Sequence, residues 1–396
     1  MTDRNRDAAT IIVAGVVASA VGILFYNVMP LYLGTAQDFR GLSTRQIGLI
    51  GTVFFTGFTL TTAVGFFWIR RFDWKLTSVG AALTAAAGLS AGAVNDSYPV
   101  LLAGVFVAGG ALSMIYGIGT TVLGDTSNPA RWYGVKISAE ALTGVVLLAF
   151  LPALVISRWG FAGFIWAMVA TIFVLLPLFL LLPKGGPVTE DSGEQTEQSR
   201  TTNRLAVGLA LLGCLLFMCG ESVMWSFMER LGNSGGYDPV AVGRLLAITL
   251  VFALTGSFVA VGIGDRFGSL IPLIVAHTCF FTAIATLSRA DQFSAYAAGA
   301  CLVMFSVGLG VTYAVTTAAE LDHDGRYVVL TVPAFGVGMA VAPGVAGWLA
   351  SGGGFAPVLI FGAFSLIGSL VAFIAAAVVE RRTALVVPAP TNDGAR

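Results

Sequence analysis

What this sequence has least of is charge. Only 11% of its 396 residues are Asp, Glu, Lys or Arg, against about a quarter in a typical soluble domain. Too few charges remain to cover a water-facing surface, which excludes a large soluble enzyme. The 21 basic and 21 acidic residues cancel, so no basic excess points to nucleic acid. Histidine occurs twice and cysteine four times, and Cys214, Cys219, Cys279 and Cys301 all lie inside apolar runs without a C-x-x-C pair. That pattern argues against a metal site or disulfide framework and for buried, inert thiols; no cofactor is expected. No GxxxxGK[ST] loop is present, so nothing suggests an ATP-driven pump. Paired carboxylates and His/Cys constellations are missing too, which leaves no basis for an enzyme.

What is there in abundance is apolar. Hydrophobic residues make up 57% of the chain and glycine supplies 49 residues, well above the usual ~7%; small residues let membrane helices approach closely. A span needs about 20 apolar residues to cross ~30 Å of hydrocarbon. Twelve such runs are predicted, near 9–34, 44–69, 76–94, 98–124, 134–157, 160–182, 205–229, 239–263, 270–288, 293–319, 328–350 and 355–379. They must be helical, because lipid cannot satisfy backbone N–H and C=O groups. The first continues from "VASA" (Val17 to Ala20) to Gly34 without a polar break, longer than a signal-peptide core, and reads as an uncleaved span.

The longest polar stretch, Pro183 to Asn203, is rich in Gly, Ser, Thr and Glu and has the composition of a disordered linker. It divides the chain into six-helix halves, 1–182 and 204–382, joined by a linker at 183–203 and followed by a disordered tail at 383–396. Cations set the orientation. With both termini cytoplasmic, Arg70, Arg71, Lys75, Arg131, Lys136, Arg266 and Arg326 fall inside, and the outer side keeps Arg40, Arg45, Arg158, Arg230, Arg244 and Arg289, as the positive-inside rule asks. The expected location is the inner cell membrane. A single offset of 195 residues also superposes Gly48 on Gly243, Arg70–Phe72 on Asp265–Phe267, Asp96 on Asp291 and Arg131 on Arg326. One register held through successive loops implies two halves of like fold; parallel repeats of this kind place a binding site between them.

Twelve spans, a central linker and duplicated halves resemble the major facilitator superfamily. The glycine-and-charge pattern after that family's second span is matched best by "GIGDRFG" (Gly262 to Gly268), with a degenerate copy in "GFFWIRRFDWK" (Gly65 to Lys75). Its proline–glycine pattern in the eleventh span is echoed by "GVGMAVAPGVAG" (Gly336 to Gly347). Two departures count against the drug/proton antiporters: the fourth span has no arginine, and Pro152 in the fifth has no adjacent glycine. The resemblance implies an all-α bundle whose first, fourth, seventh and tenth spans line a central cavity. Those spans would present Tyr26 and Asn27, Tyr116 and Thr120, Ser222 and Trp225, and Tyr313 and Thr316. None of them carries Lys or Arg within its apolar stretch, so neutral, aromatic or cationic solutes are expected over anions.

Glu221 is a lone carboxylate in "LLFMCGESVMW" (Leu215 to Trp225). Insertion scales charge about 2.5–3.5 kcal/mol for a central acid such as Asp, so it should face protein or water. Withdrawal from water favours the neutral form of a carboxyl group, which suits a proton site; the plainer alternative is a protonated Glu bonded to a neighbouring helix. Glu140 is a second proton-site candidate, one helical step from Lys136 and so placed to pair with it. His277 lies outside the expected cavity and reads as a packing residue. Asp265 and Arg266 would serve, by the resemblance, in a cytoplasmic gate near Arg131. The expectation is a proton-coupled transporter of a small organic solute, working as a monomer in the bilayer by symport or, alternatively, efflux.

Overall fold

The computed structural model describes residues 7–185, 202–323 and 326–386, and among these there is helix but no strand. Most of the expected linker, 186–201, and the tail from 387 lie outside the described residues. Before the linker come α1 (Ala9–Gly22), α2 (Leu24–Arg40), α3 (Thr44–Ala63), α4 (Trp74–Val94), α5 (Tyr98–Gly124), α6 (Pro129–Leu151) and α7 (Ser157–Leu175). After it come α8 (Arg204–Ser234), α9 (Pro239–Ile263), α10 (Leu270–Leu287), α11 (Phe293–Leu321), α12 (Thr331–Ala350) and α13 (Ala356–Val386). Loop residues start many of them. Ser43, Asp73, Asn128, Asn203 and Asp238 each accept a backbone N–H of the following first turn, which satisfies donors that the helix cannot.

Among the described residues, eleven stretches are long and apolar enough to cross a membrane. The predicted runs 134–157 and 160–182 emerge as one of these, Arg131–Leu181, 51 residues long. At 1.5 Å per residue it would measure about 76 Å, more than twice the hydrocarbon core. It is not straight: Pro152–Ile156 is π-helical, and Gly160 has φ 55° and ψ −145°, a conformation that side chains with a Cβ avoid. The first span, Ala9–Arg40, is also interrupted, at Ile23 between α1 and α2.

Helices from before and after the linker meet at three places: α3 on α12, α6 on α9, and α2 on α8. Two of these crossings repeat the 195-residue step. A Cβ on Gly48 would collide with the Pro343 carbonyl and lie 2.8 Å from Gly347 Cα, and one on Gly243 would lie 2.9 Å from the Leu148 carbonyl and 2.6 Å from Pro152. Leu148 and Pro152 stand 195 residues before Pro343 and Gly347, and Ser43 stands 195 before Asp238, the cap of α9. Glycine at both crossings lets the backbones touch. Among the described residues the longest continuously buried run is in α8, from Phe217 to Arg230, against α2, α11, α12 and α13.

Candidate functional site

Two prolines shape the centre. Pro30 lies inside α2 and has no N–H, so the Tyr26 carbonyl four residues earlier lacks its helical partner. The Trp225 indole on α8 donates to that carbonyl at 2.9 Å. Pro343 inside α12 leaves the Met339 carbonyl unpartnered in the same way, and Ser222 Oγ donates to it at 3.3 Å. One face of α8 thus fills the backbone gaps of two broken helices.

Glu221 sits between these contacts and is fully buried, at 0% exposure. Tyr26 Oη donates to its Oε1 at 2.8 Å, and its Oε2 has no partner. Tyr26 and Glu221 are 195 residues apart, one repeat step. The same step separates the Gly48 crossing from the Gly243 crossing. Further along, the Glu229 carboxylate packs directly on Gly34, again one step away.

Beside Tyr26 is a second polar group. Lys136 Nζ lies 2.9 Å from Glu140 Oε1, which also accepts from the Ser19 hydroxyl, and Asn27 Nδ2 donates to the Glu140 carbonyl at 2.8 Å. Lys136 donates to Tyr116 Oη at 3.1 Å and stands 4.4 Å over that ring, its charge enclosed on every side. A cavity of about 260 Å³ opens here, lined from α2 and α6 by Tyr26, Asn27, Ile137 and Glu140 and from α9 and α11 by Leu250, Leu254, Met304, Val307 and Val311, with Ser257 and Thr312. Tyr26 therefore has one face on the cavity and its hydroxyl on Glu221.

The other expected cavity residues are placed elsewhere. Tyr116 cradles Lys136, and Trp225 and Ser222 serve the proline-freed carbonyls. The Thr120 hydroxyl is buried without a partner. Tyr313 is buried and donates to the Ala260 and Gly264 carbonyls at the end of α9, while Thr316 donates to the Thr312 carbonyl. None of the six lines the 260 Å³ cavity, whose walls come from the first, fifth, eighth and tenth predicted runs. Asp265, Arg266 and Arg131 are all exposed; among the described residues no ion pair joins them, and Arg131 lies over the Trp132 ring. At that end Arg70 pairs with Asp125 through two bonds of 2.5 and 2.7 Å, and His323 lies 3.1 Å from Glu380. His277 is buried, bonded to the Leu273 carbonyl and Ser369.

Sequence reasoning missed the cluster at the opposite end. Arg230 bonds Asp38 through Nη1 and Nη2 at 2.6 and 2.8 Å and Glu229 through Nε and Nη2 at 2.6 and 2.8 Å; Asn233 donates to Glu229 at 2.7 Å. Glu229 and Arg230 are both buried. This clasp ties α2 to α8 at the edge of an 820 Å³ cavity. The signal was present: Asp38 and Arg230 are 192 residues apart, close to the repeat step that brings the two helices together.

Known proteins match this architecture. A family model of the Major Facilitator Superfamily matches residues 11–328. An uncharacterised MFS-type transporter of Escherichia coli, YcaD, is 24% identical over 288 residues, 71% of this chain and 72% of its own. Among solved structures, the nucleoside transporter NupG superposes with a TM-score of 0.70 at 13% identity, covering 93% of this chain and 99% of that one. A bacterial homologue of the human lysosomal transporter Spinster, inward-facing and unoccupied, gives 0.63 at 15% identity over 98% and 100%. At these identities the two solved structures speak for the fold alone.

Proposed function

This chain belongs to the major facilitator superfamily, and from that premise we propose a proton-coupled carrier that moves a small organic solute by alternating access. It is a multi-pass membrane transporter rather than an enzyme. Its finer organisation is read as twelve crossings, Arg131–Leu181 turning back at Gly160, in halves 1–182 and 204–382 with the linker and both termini cytoplasmic in an inner membrane. The recurring 195-residue contacts support that division. Each half moves as a body against the other, within a single chain. The Asp38–Arg230–Glu229 clasp closes the outer end in this state. Asp265, Arg266 and Arg131, unpaired at the inner end, are the charges placed to meet when that end closes.

The observation that carries the proton role is Glu221 itself: buried, with no cation beside it, one oxygen on Tyr26 and the other unpartnered. An ionised carboxylate is strongly disfavoured in such a place, so the neutral acid is favoured while the site is shut. Rocking of the halves parts Tyr26 from Glu221, wets the carboxylate and lets the proton leave. Because Tyr26 also faces the cavity, an occupant that moves its ring alters the hydrogen bond on Glu221; that is the proposed link between solute and proton. Glu140 serves as the accessory charge. The cavity wall offers no accessible cation, which supports neutral, aromatic or cationic solutes.

The test is transport by the purified chain in proteoliposomes holding an internal pH dye. A panel of neutral, cationic and anionic solutes is added with and without an imposed pH gradient, in both directions. Solute-dependent proton movement is expected for members of the first two classes. Solute flux with no accompanying proton movement would remove the coupling and leave a uniporter.

A further inference from the structure

The 260 Å³ cavity is uneven in its chemistry, and the unevenness selects a ligand. On the polar wall each donor group already holds a protein acceptor: the Tyr26 hydroxyl is on Glu221, and the Asn27 amide is on the Glu140 carbonyl. At the flanks, Ser257 donates to the Ala253 and Gly308 carbonyls and Thr312 to the Gly308 carbonyl. What remains open is acceptor capacity, chiefly the Glu140 carboxylate, whose side chain keeps 13% exposure. Its partner Lys136 is more deeply enclosed, at 6%, and does not line the cavity. A ligand entering here meets the anion of that pair and not the cation. The lining from α9 and α11 is mainly aliphatic, apart from Ser257 and Thr312.

We infer that this cavity binds a primary organic amine in its ammonium form, with the ammonium on Glu140 and an apolar flank against Leu254 and Val311. The inference deepens the proposed transport reading and rests on it for its role in flux, not for binding. The ammonium brings donors to a carboxylate that it shares with Lys136 and that has lone pairs to spare. A carboxylate ligand would face Glu140 with no reachable counter-charge. Size limits the choice: 260 Å³ holds about nine water-sized groups at ~30 Å³ each, the scale of an arylalkylamine rather than a large amphiphile.

The test uses the full chain in nanodiscs at neutral pH, titrated with phenethylamine, 3-phenylpropanamide, 3-phenylpropanoate and ammonium chloride. Binding is read as displacement of radiolabelled phenethylamine and as a shift in thermal midpoint. Phenethylamine should bind about tenfold tighter than the neutral amide, the ratio expected of a charged hydrogen bond, and neither the acid nor bare ammonium should compete. Lys136→Met, which frees Glu140, should tighten phenethylamine. Lys136→Met with Glu140→Gln, which removes both charges and strands neither, should erase the preference for amine over amide and leave amide binding alone; Glu140→Gln by itself repeats the comparison if the double variant does not fold. Failure of phenethylamine to bind, an amide or acid that competes equally, or a preference that survives loss of the carboxylate overturns the inference. Amine binding without proton-coupled flux would leave this site standing and sink the transport coupling. Coupled flux of solutes without amine preference would do the reverse.

Discussion

Removing the Trp225 indole should cost stability only while Pro30 is present. In the native chain Pro30 cannot donate to the Tyr26 carbonyl, and Trp225 Nε1 does so from α8 at 2.9 Å. Trp225→Phe keeps most of the ring volume and removes the donor, leaving a carbonyl in the protein interior unpartnered, which costs ~1–3 kcal/mol. In a Pro30→Ala background the alanine supplies a backbone N–H that completes the i→i−4 bond to Tyr26, so Trp225→Phe then loses packing alone. The packing loss is common to both backgrounds and cancels in the cycle. A coupling of about 1–2 kcal/mol between positions 30 and 225 is therefore expected. The assay is unfolding of the four variants in mixed micelles of dodecyl maltoside and increasing dodecyl sulfate, followed by far-UV circular dichroism. If Trp225→Phe costs the same in the native and the Pro30→Ala backgrounds, the indole is packing and the freed carbonyl is not what it serves.

Other sites respond in distinct ways. Gly48→Leu and Gly243→Leu drive a side chain into a backbone contact and should each cost ~1–3 kcal/mol or more, with transport lost even where folded protein is recovered, as checked by size-exclusion chromatography and proteoliposome flux. Arg230→Met strands the buried Glu229 carboxylate, an uncompensated charge worth ~3–5 kcal/mol; Asp38→Asn, at a half-exposed partner, should cost only ~1 kcal/mol or less. In both, labelling of a cysteine placed at Ala350, a buried residue on the outer cavity, should increase as the outer end loosens; unchanged labelling would contradict a closing role for the clasp. Tyr26→Phe removes the hydroxyl that donates to Glu221 and should cost ~1–3 kcal/mol in the same unfolding assay, while uncoupling solute from proton movement.

Much of the fold was legible because lipid imposes so simple a rule. Any run long enough to cross had to be a helix, and loop charges kept the 195-residue register that also appears at Ser43 and Asp238 and at the Gly48 and Gly243 crossings. The predicted runs divide Arg131–Leu181 at residues 158–159, where Arg158 is the polar break, and the backbone leaves helical geometry beside it at Gly160. Glu221 stood out as a lone charge, and Lys136 with Glu140 followed from helical spacing. Which way a helix faces was mostly not legible. Lipid and protein interior are equally apolar, so Tyr116, Trp225 and Tyr313 could be assigned to spans but not to directions, and their polar atoms turned out to serve Lys136 and backbone carbonyls. The partner of Glu221 was 195 residues away at Tyr26, the same offset that the loop charges keep.

The most direct measurement compares Glu221→Gln with the native chain in one preparation of proteoliposomes, reading solute exchange at equal pH and uphill accumulation under a pH gradient. Glutamine keeps an acceptor for Tyr26 but cannot release a proton. The account predicts that exchange persists and accumulation disappears; accumulation undiminished in Glu221→Gln would contradict it.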